Sequence, residues 1–98
     1  MNKEIFLLDV CSEEELNKLE QLYYMSTTKE RIVSLAMTMV QTPNSVINSY
    51  YEDYLKIFIE YDKFKQQFYH NYIEPAIEKN KSQYWEIDFV KKVAYIYD

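Results

Sequence analysis

Seven residues in the second half of this chain recur at alternating spacings of three and four: Ile47, Tyr50, Tyr54, Ile57, Tyr61, Phe64 and Phe68. That rhythm is one seam of an α-helix, kept apolar so that another helix can cover it. Tyr51, Phe58, Tyr69 and Tyr72 widen the stripe. A lone helix cannot keep such a face in water, because most helical stability comes from packing. The stripe therefore demands a covering element.

The first half supplies it. Ser12-Glu13-Glu14-Glu15 is a capping-box signature. The serine hydroxyl can accept from the Glu15 amide while the Glu15 carboxylate reaches back. Leu16, Leu19, Leu22 and Tyr23 follow at helical spacing, and Ile32, Val33, Leu35, Ala36, Met39 and Val40 resume it. Between them, Ser26 to Arg31 offer no apolar residue. Two readings follow. One helix runs over 12–41, or a break near 26–28 divides it, with Thr27 and Glu30 as a second capping box. The stretch lacks Gly and Pro, which favours continuity. Pro43 then stops the helix, because it restricts Thr42 and has no amide proton. Thr42 or Ser45 can cap the next helix, expected over 44–74 and ended by Glu74-Pro75. A short loop between two long amphipathic helices gives an antiparallel hairpin.

The ends of the chain read differently. Residues 4–10 are a short apolar run with the length and branching of a strand, so residues 1–11 form a strand or arm. Residues 76–82 are a polar connector. Beyond it the period drops to two: Trp85, Ile87 and Phe89 alternate with Tyr84, Glu86 and Asp88, and Ala94 and Ile96 with Val93, Tyr95 and Tyr97. These runs predict a β-hairpin over 83–97 around Val90-Lys91-Lys92. Without Asn-Gly or Asp-Gly, its loop should span about three to five residues. A lone hairpin is marginal, so it lies on the helices or pairs with the N-terminal strand. The expected fold is mainly α, in the α+β sense. It is a long antiparallel helical hairpin with a small C-terminal β-hairpin, in a single domain of residues 1–98.

Composition removes several function classes. Glycine is absent, and phosphate-cradling loops depend on it. One cysteine, Cys11, and one histidine, His70, fall short of a metal site or a nucleophile with base and orienting group. Glu52/Asp53 and Glu60/Asp62 point to different sides of a helix. No catalytic, metal or cofactor site is expected. The net charge of −5, with six acids against two lysines in residues 1–20, argues against a nucleic-acid binder. No apolar run approaches a membrane span, and no secretory leader is evident, which reads as intracellular.

The tyrosines are left. There are eleven, and this residue type joins area to a polar tip, which suits interfaces. Neighbours on a helix point about 100° apart, so Tyr23-Tyr24 and Tyr50-Tyr51 cannot all enter one seam. Tyr23, Tyr24, Tyr51, Phe58, Tyr69, Tyr72 and Trp85 are the candidate interface, toward a protein partner or a second copy in a homodimer.

Three segments carry a resemblance: Ser12 to Tyr24, Tyr50 to Lys65, and Tyr84-Trp85-Glu86-Ile87-Asp88-Phe89. In this order they resemble small accessory proteins of Firmicutes prophages and mobile elements. The closing segment is also similar to the accessory proteins of CXXX-repeat peptide modification systems. Members tend to turn the last hairpin with a glycine, where this chain has Val90-Lys91-Lys92. The resemblance implies a small cytoplasmic accessory protein of a bacterial or phage-infected cell. The expected function is non-catalytic protein–protein interaction, for example as an inhibitor of a host defence system. The alternatives are a subunit of a peptide-modification system and a small virion component.

Overall fold

The computed structural model describes residues 3–78 and 82–98. It is mainly helical, with strand β1 (Lys3–Phe6), helices α1 (Glu13–Thr38) and α2 (Asn44–Phe68), and strands β2 (Tyr84–Asp88) and β3 (Val93–Tyr97). Contacts divide it into two compact units. One holds the residues up to Lys18 with Lys65–Asp98, the other Leu19–Phe64. Lys79, Asn80 and Lys81 of the expected connector lie outside the described residues.

The second unit is the helical hairpin. Tyr23 meets Tyr61 with ring centroids 6.0 Å apart, and the Lys29 ammonium lies 4.0 Å from the Asp53 carboxylate. One index rises as the other falls, so the helices are antiparallel. α1 is continuous, and the expected alternative of a break near 26–28 is not taken. Thr27 does not cap a new helix; its hydroxyl donates back to the Tyr23 carbonyl at 2.9 Å, a bond available inside a helix. The inward row of α1 is Leu19, Leu22, Ser26, Lys29, Val33 and Ala36, all buried but the half-buried Lys29. Spacings of three and four thus persist through the polar gap, where Ser26 is buried.

α1 ends at Thr38, earlier than the expected 41. The following amides fold into tight turns, Met39 to the Ala36 carbonyl and Thr42 to that of Met39. α2 opens on Pro43, whose carbonyl accepts from the amides of Val46 and Ile47. Neither Thr42 nor Ser45 takes the capping position; Pro43 does. On α2 the middle of the seam, Tyr54, Ile57 and Tyr61, is half-buried and Tyr50 is exposed. Two helices alone cover one side of such a wide stripe.

The first unit packs a sheet and two helix ends. β3 is central, in the order β1-β3-β2, and both pairings are antiparallel. The N-terminal strand is shorter than expected. After Phe6 the chain enters a 3-10 turn at Leu7–Asp9. Leu7 donates to the Lys92 carbonyl at 3.0 Å and accepts from the amides of Val10 and Cys11. The turn buries Leu7 fully, beside a core of Leu16, Phe68, Ile73, Ala94 and Ile96. Enclosing one leucine side chain is worth about 1.5–3 kcal/mol.

At the far end α2 loosens into a π-helical turn, Tyr69–Ile73, and a 3-10 turn, Glu74–Ala76, with Pro75 inside it. Bonding from i to i+5 widens the turn and brings residues five apart toward one line. Phe68 and Ile73 are five apart and both buried. The β-hairpin closes with four residues, Phe89 to Lys92. The Asp88 carboxylate accepts the amides of Val90 and Lys91 at 3.0 Å each. Lys92 takes φ 57°, the left-handed conformation that favours glycine.

Candidate functional site

Ser12 caps α1 as its sequence predicts: its hydroxyl accepts from the Glu15 amide and donates to the Glu15 carboxylate, both at 3.1 Å. The other carboxylate oxygen accepts from the Tyr72 hydroxyl at 2.5 Å. The Tyr72 bond, then those from Ser12, hold Glu15 below its ordinary range despite some burial. The same bond pushes Tyr72 up to about 12. Cys11 lies beside this cap, half-buried. Burial first, then Glu15, raises its thiol, the reverse of an activated nucleophile. His70 is exposed, with its Nδ1 2.8 Å from the Glu74 carboxylate. No group of three potential metal ligands occurs among the described residues.

The candidate interface residues separate into two sets. Tyr69, Tyr72 and Trp85 belong to the first unit and are half-buried. Tyr69 stacks on Trp85 at 5.6 Å, with the Lys65 ammonium 5.6 Å from the Trp85 ring centre. Tyr72 meets Phe68 edge-on at 5.0 Å. These three serve internal packing. Tyr23, Tyr24, Tyr51 and Phe58 belong to the second unit and are exposed. They extend two aromatic runs, Tyr24-Tyr23-Tyr61 and Tyr51-Tyr54-Phe58, with neighbouring centroids 5.4–6.2 Å apart. Burial first raises the Tyr54 and Tyr61 hydroxyls, so both rings are partly withdrawn from water.

Sequence periodicity misses the loop end of the helical hairpin. Ile32, Leu35, Met39 and Val40 continue the apolar pattern of α1 and read as core. In the structure they are exposed, Leu35 by 54%, Met39 by 61% and Val40 by 100%, and Met37 stands out beside them. With Val46 and Tyr50 they line an open groove of about 780 Å³. The whole span 32–51 is twenty residues without one charged side chain. The rest of the chain carries the entire net charge. Interface centres are depleted of charge and enriched in methionine and aromatic residues, and this tip has that composition.

The β-hairpin presents the other of its two faces. Trp85, Ile87, Ala94 and Ile96 share one side of the sheet by pleat and register, and Ala94 and Ile96 are fully buried. Tyr84, Tyr95 and Tyr97 share the outward side. Tyr84 stacks on Tyr97 at 4.9 Å and Tyr95 on Tyr97 at 6.2 Å. The Tyr97 hydroxyl donates to Glu86 at 2.6 Å, which pushes that hydroxyl up to about 12. No helix is long and apolar enough among the described residues to cross a membrane. No family model, curated protein or solved structure matches the chain.

Proposed function

We propose that this chain is a non-catalytic protein–protein interaction module that pairs with a second copy through the tip of its helical hairpin. The observation that carries the reading is the charge-free, exposed tip. A twofold pairing sets one patch against itself. Two copies of a chain at −5 repel wherever acids meet, and burying an unpaired charge is costly. Residues 32–51 meet their own image without either penalty. Val40, fully exposed, lines the groove together with Leu35, Met39 and Tyr50, so the apolar surface on offer is continuous. Contiguous apolar patches beyond a few hundred Å² mark interaction sites.

The biological setting proposed is that of an accessory or inhibitor protein of a phage or mobile element, acting by occupying a surface of a larger protein. Its support is the sequence resemblance alone. The pairing is tested by sedimentation velocity from micromolar to millimolar protein. The wild type should shift from monomer toward dimer, and Leu35→Glu and Met39→Glu should remain monomers with unchanged circular dichroism. A wild type that stays monomeric throughout, or variants that dimerise equally, would overturn it.

A further inference from the structure

The outward face of the sheet in the first unit is a second surface, independent of the tip. The alternation of β-strand side chains and the register place Glu4, Phe6, Tyr84, Glu86, Tyr95 and Tyr97 on it. Phe6 and Tyr84 are exposed by 60% and 61%, and Glu4 and Glu86 are exposed as well. None of these outward strand positions holds a lysine or arginine. Lys3 lies on the opposite face by register and donates to the Ala76 carbonyl at 3.1 Å.

One row decides the chemistry. Glu4 pairs with Tyr95, and Tyr95 pairs with Glu86. A tyrosine on the central strand is thus flanked by a carboxylate on each neighbouring strand, about 5 Å to either side. Tyr97 stacks beside it, and its hydroxyl donates to one Glu86 oxygen. The face of an aromatic ring attracts cations. A planar guanidinium can stack on a ring and pair with a carboxylate at once, which a compact ammonium does less well. An aromatic sheet face is also a stacking platform for single-stranded nucleic acid, but such platforms lie in a basic groove. Here the charges are acidic.

We propose that this face binds an extended, arginine-bearing protein segment, with a guanidinium seated on Tyr95 between Glu4 and Glu86. Arginines at alternate positions of the segment project to one side and meet Tyr95 and the Tyr84–Tyr97 pair.

The test is an NMR titration of the full chain, labelled at its tyrosine rings. The probe is an acetylated, amidated peptide with arginine at alternate positions; the control replaces each arginine by citrulline, which keeps the shape and removes the charge. The arginine peptide should shift the rings of Tyr84, Tyr95 and Tyr97, and its binding should weaken as salt rises. The citrulline peptide should bind about tenfold more weakly or worse. Tyr84→Ala, at an exposed position, and Glu4→Gln and Glu86→Gln should each weaken binding about two- to fivefold without changing the circular dichroism. Equal binding of the citrulline peptide, shifts confined to tyrosines of the helical hairpin, stronger shifts of the same rings with a single-stranded RNA, or no shift at all would overturn the proposal. None of these readouts depends on the tip, so the pairing of two copies stands or falls separately.

Discussion

The Tyr72 hydroxyl donates to the Glu15 carboxylate at 2.5 Å, joining the first turn of α1 to the π-helical turn that follows α2. One glutamate therefore does two things. It completes the cap begun by Ser12, and it holds a ring fifty-seven positions further along the chain. Its place in a capping box is local and readable from spacing. Its bond to Tyr72 exists only because the π turn carries that ring there.

Glu15 makes stability depend on acid. Its native pKa lies below the ordinary 4.5. A depressed carboxylate contributes stability in full above its unfolded pKa and loses it as pH falls through the native one. Urea unfolding of the wild type and Glu15→Gln should therefore differ most near neutral pH. The gap should shrink as pH drops below about 4.5. A gap that widens on acidification would exclude the Tyr72–Glu15 bond as its source.

The two helices should respond unequally to truncation. Phe68 is 2% exposed in the core of the first unit, and Phe68→Ala should cost about 3–5 kcal/mol. Ile57 sits at the middle of the aromatic seam but is half-buried. Ile57→Ala should cost less than about 2 kcal/mol, the lower end for an enclosed side chain. Denaturant titration of both variants separates the cases. Equal losses would mean that the seam is as enclosed as the sheet core.

The hairpin turn carries a backbone cost at Lys92. Its φ of 57° disfavours any residue with a Cβ by about 1–2 kcal/mol. The Lys92 ammonium also lies 3.4 Å from Glu13 in an exposed ion pair, worth about 0–1 kcal/mol. Lys92→Gly and Lys92→Ala both remove the pair, and only glycine relieves the backbone. Lys92→Gly should melt higher than Lys92→Ala, by a difference of about 1 kcal/mol. Identical melting temperatures would contradict a left-handed Lys92.

What the sequence revealed was local. The Ser12 cap, the break between the helices around Pro43, the two helical periods and the alternation after Tyr84 each depend on residues close in the chain. The π turn was hidden because it answers to the shared burial of Phe68 and Ile73, a tertiary demand. The outward face of β3 was hidden too, since Ala94 and Ile96 alternate with Val93, Tyr95 and Tyr97, and both sets are apolar or aromatic. Trp85 lies on the opposite side of the sheet, half-buried against Tyr69. At the tip, Ile32, Leu35 and Met39 keep helical spacing whether or not anything covers them. Periodicity names the face to be buried but not what buries it. The missing charge between residues 32 and 51 was a plain signal, legible once the exposure of that span is known.

Amide hydrogen exchange at low and high protein concentration tests the central claim most directly. If two copies pair through the tip, exchange should slow with concentration within residues 32–51 and their flanking turns, and nowhere else. Leu35→Glu should abolish the effect. Exchange independent of concentration, or protection that appears away from this span, would contradict the account.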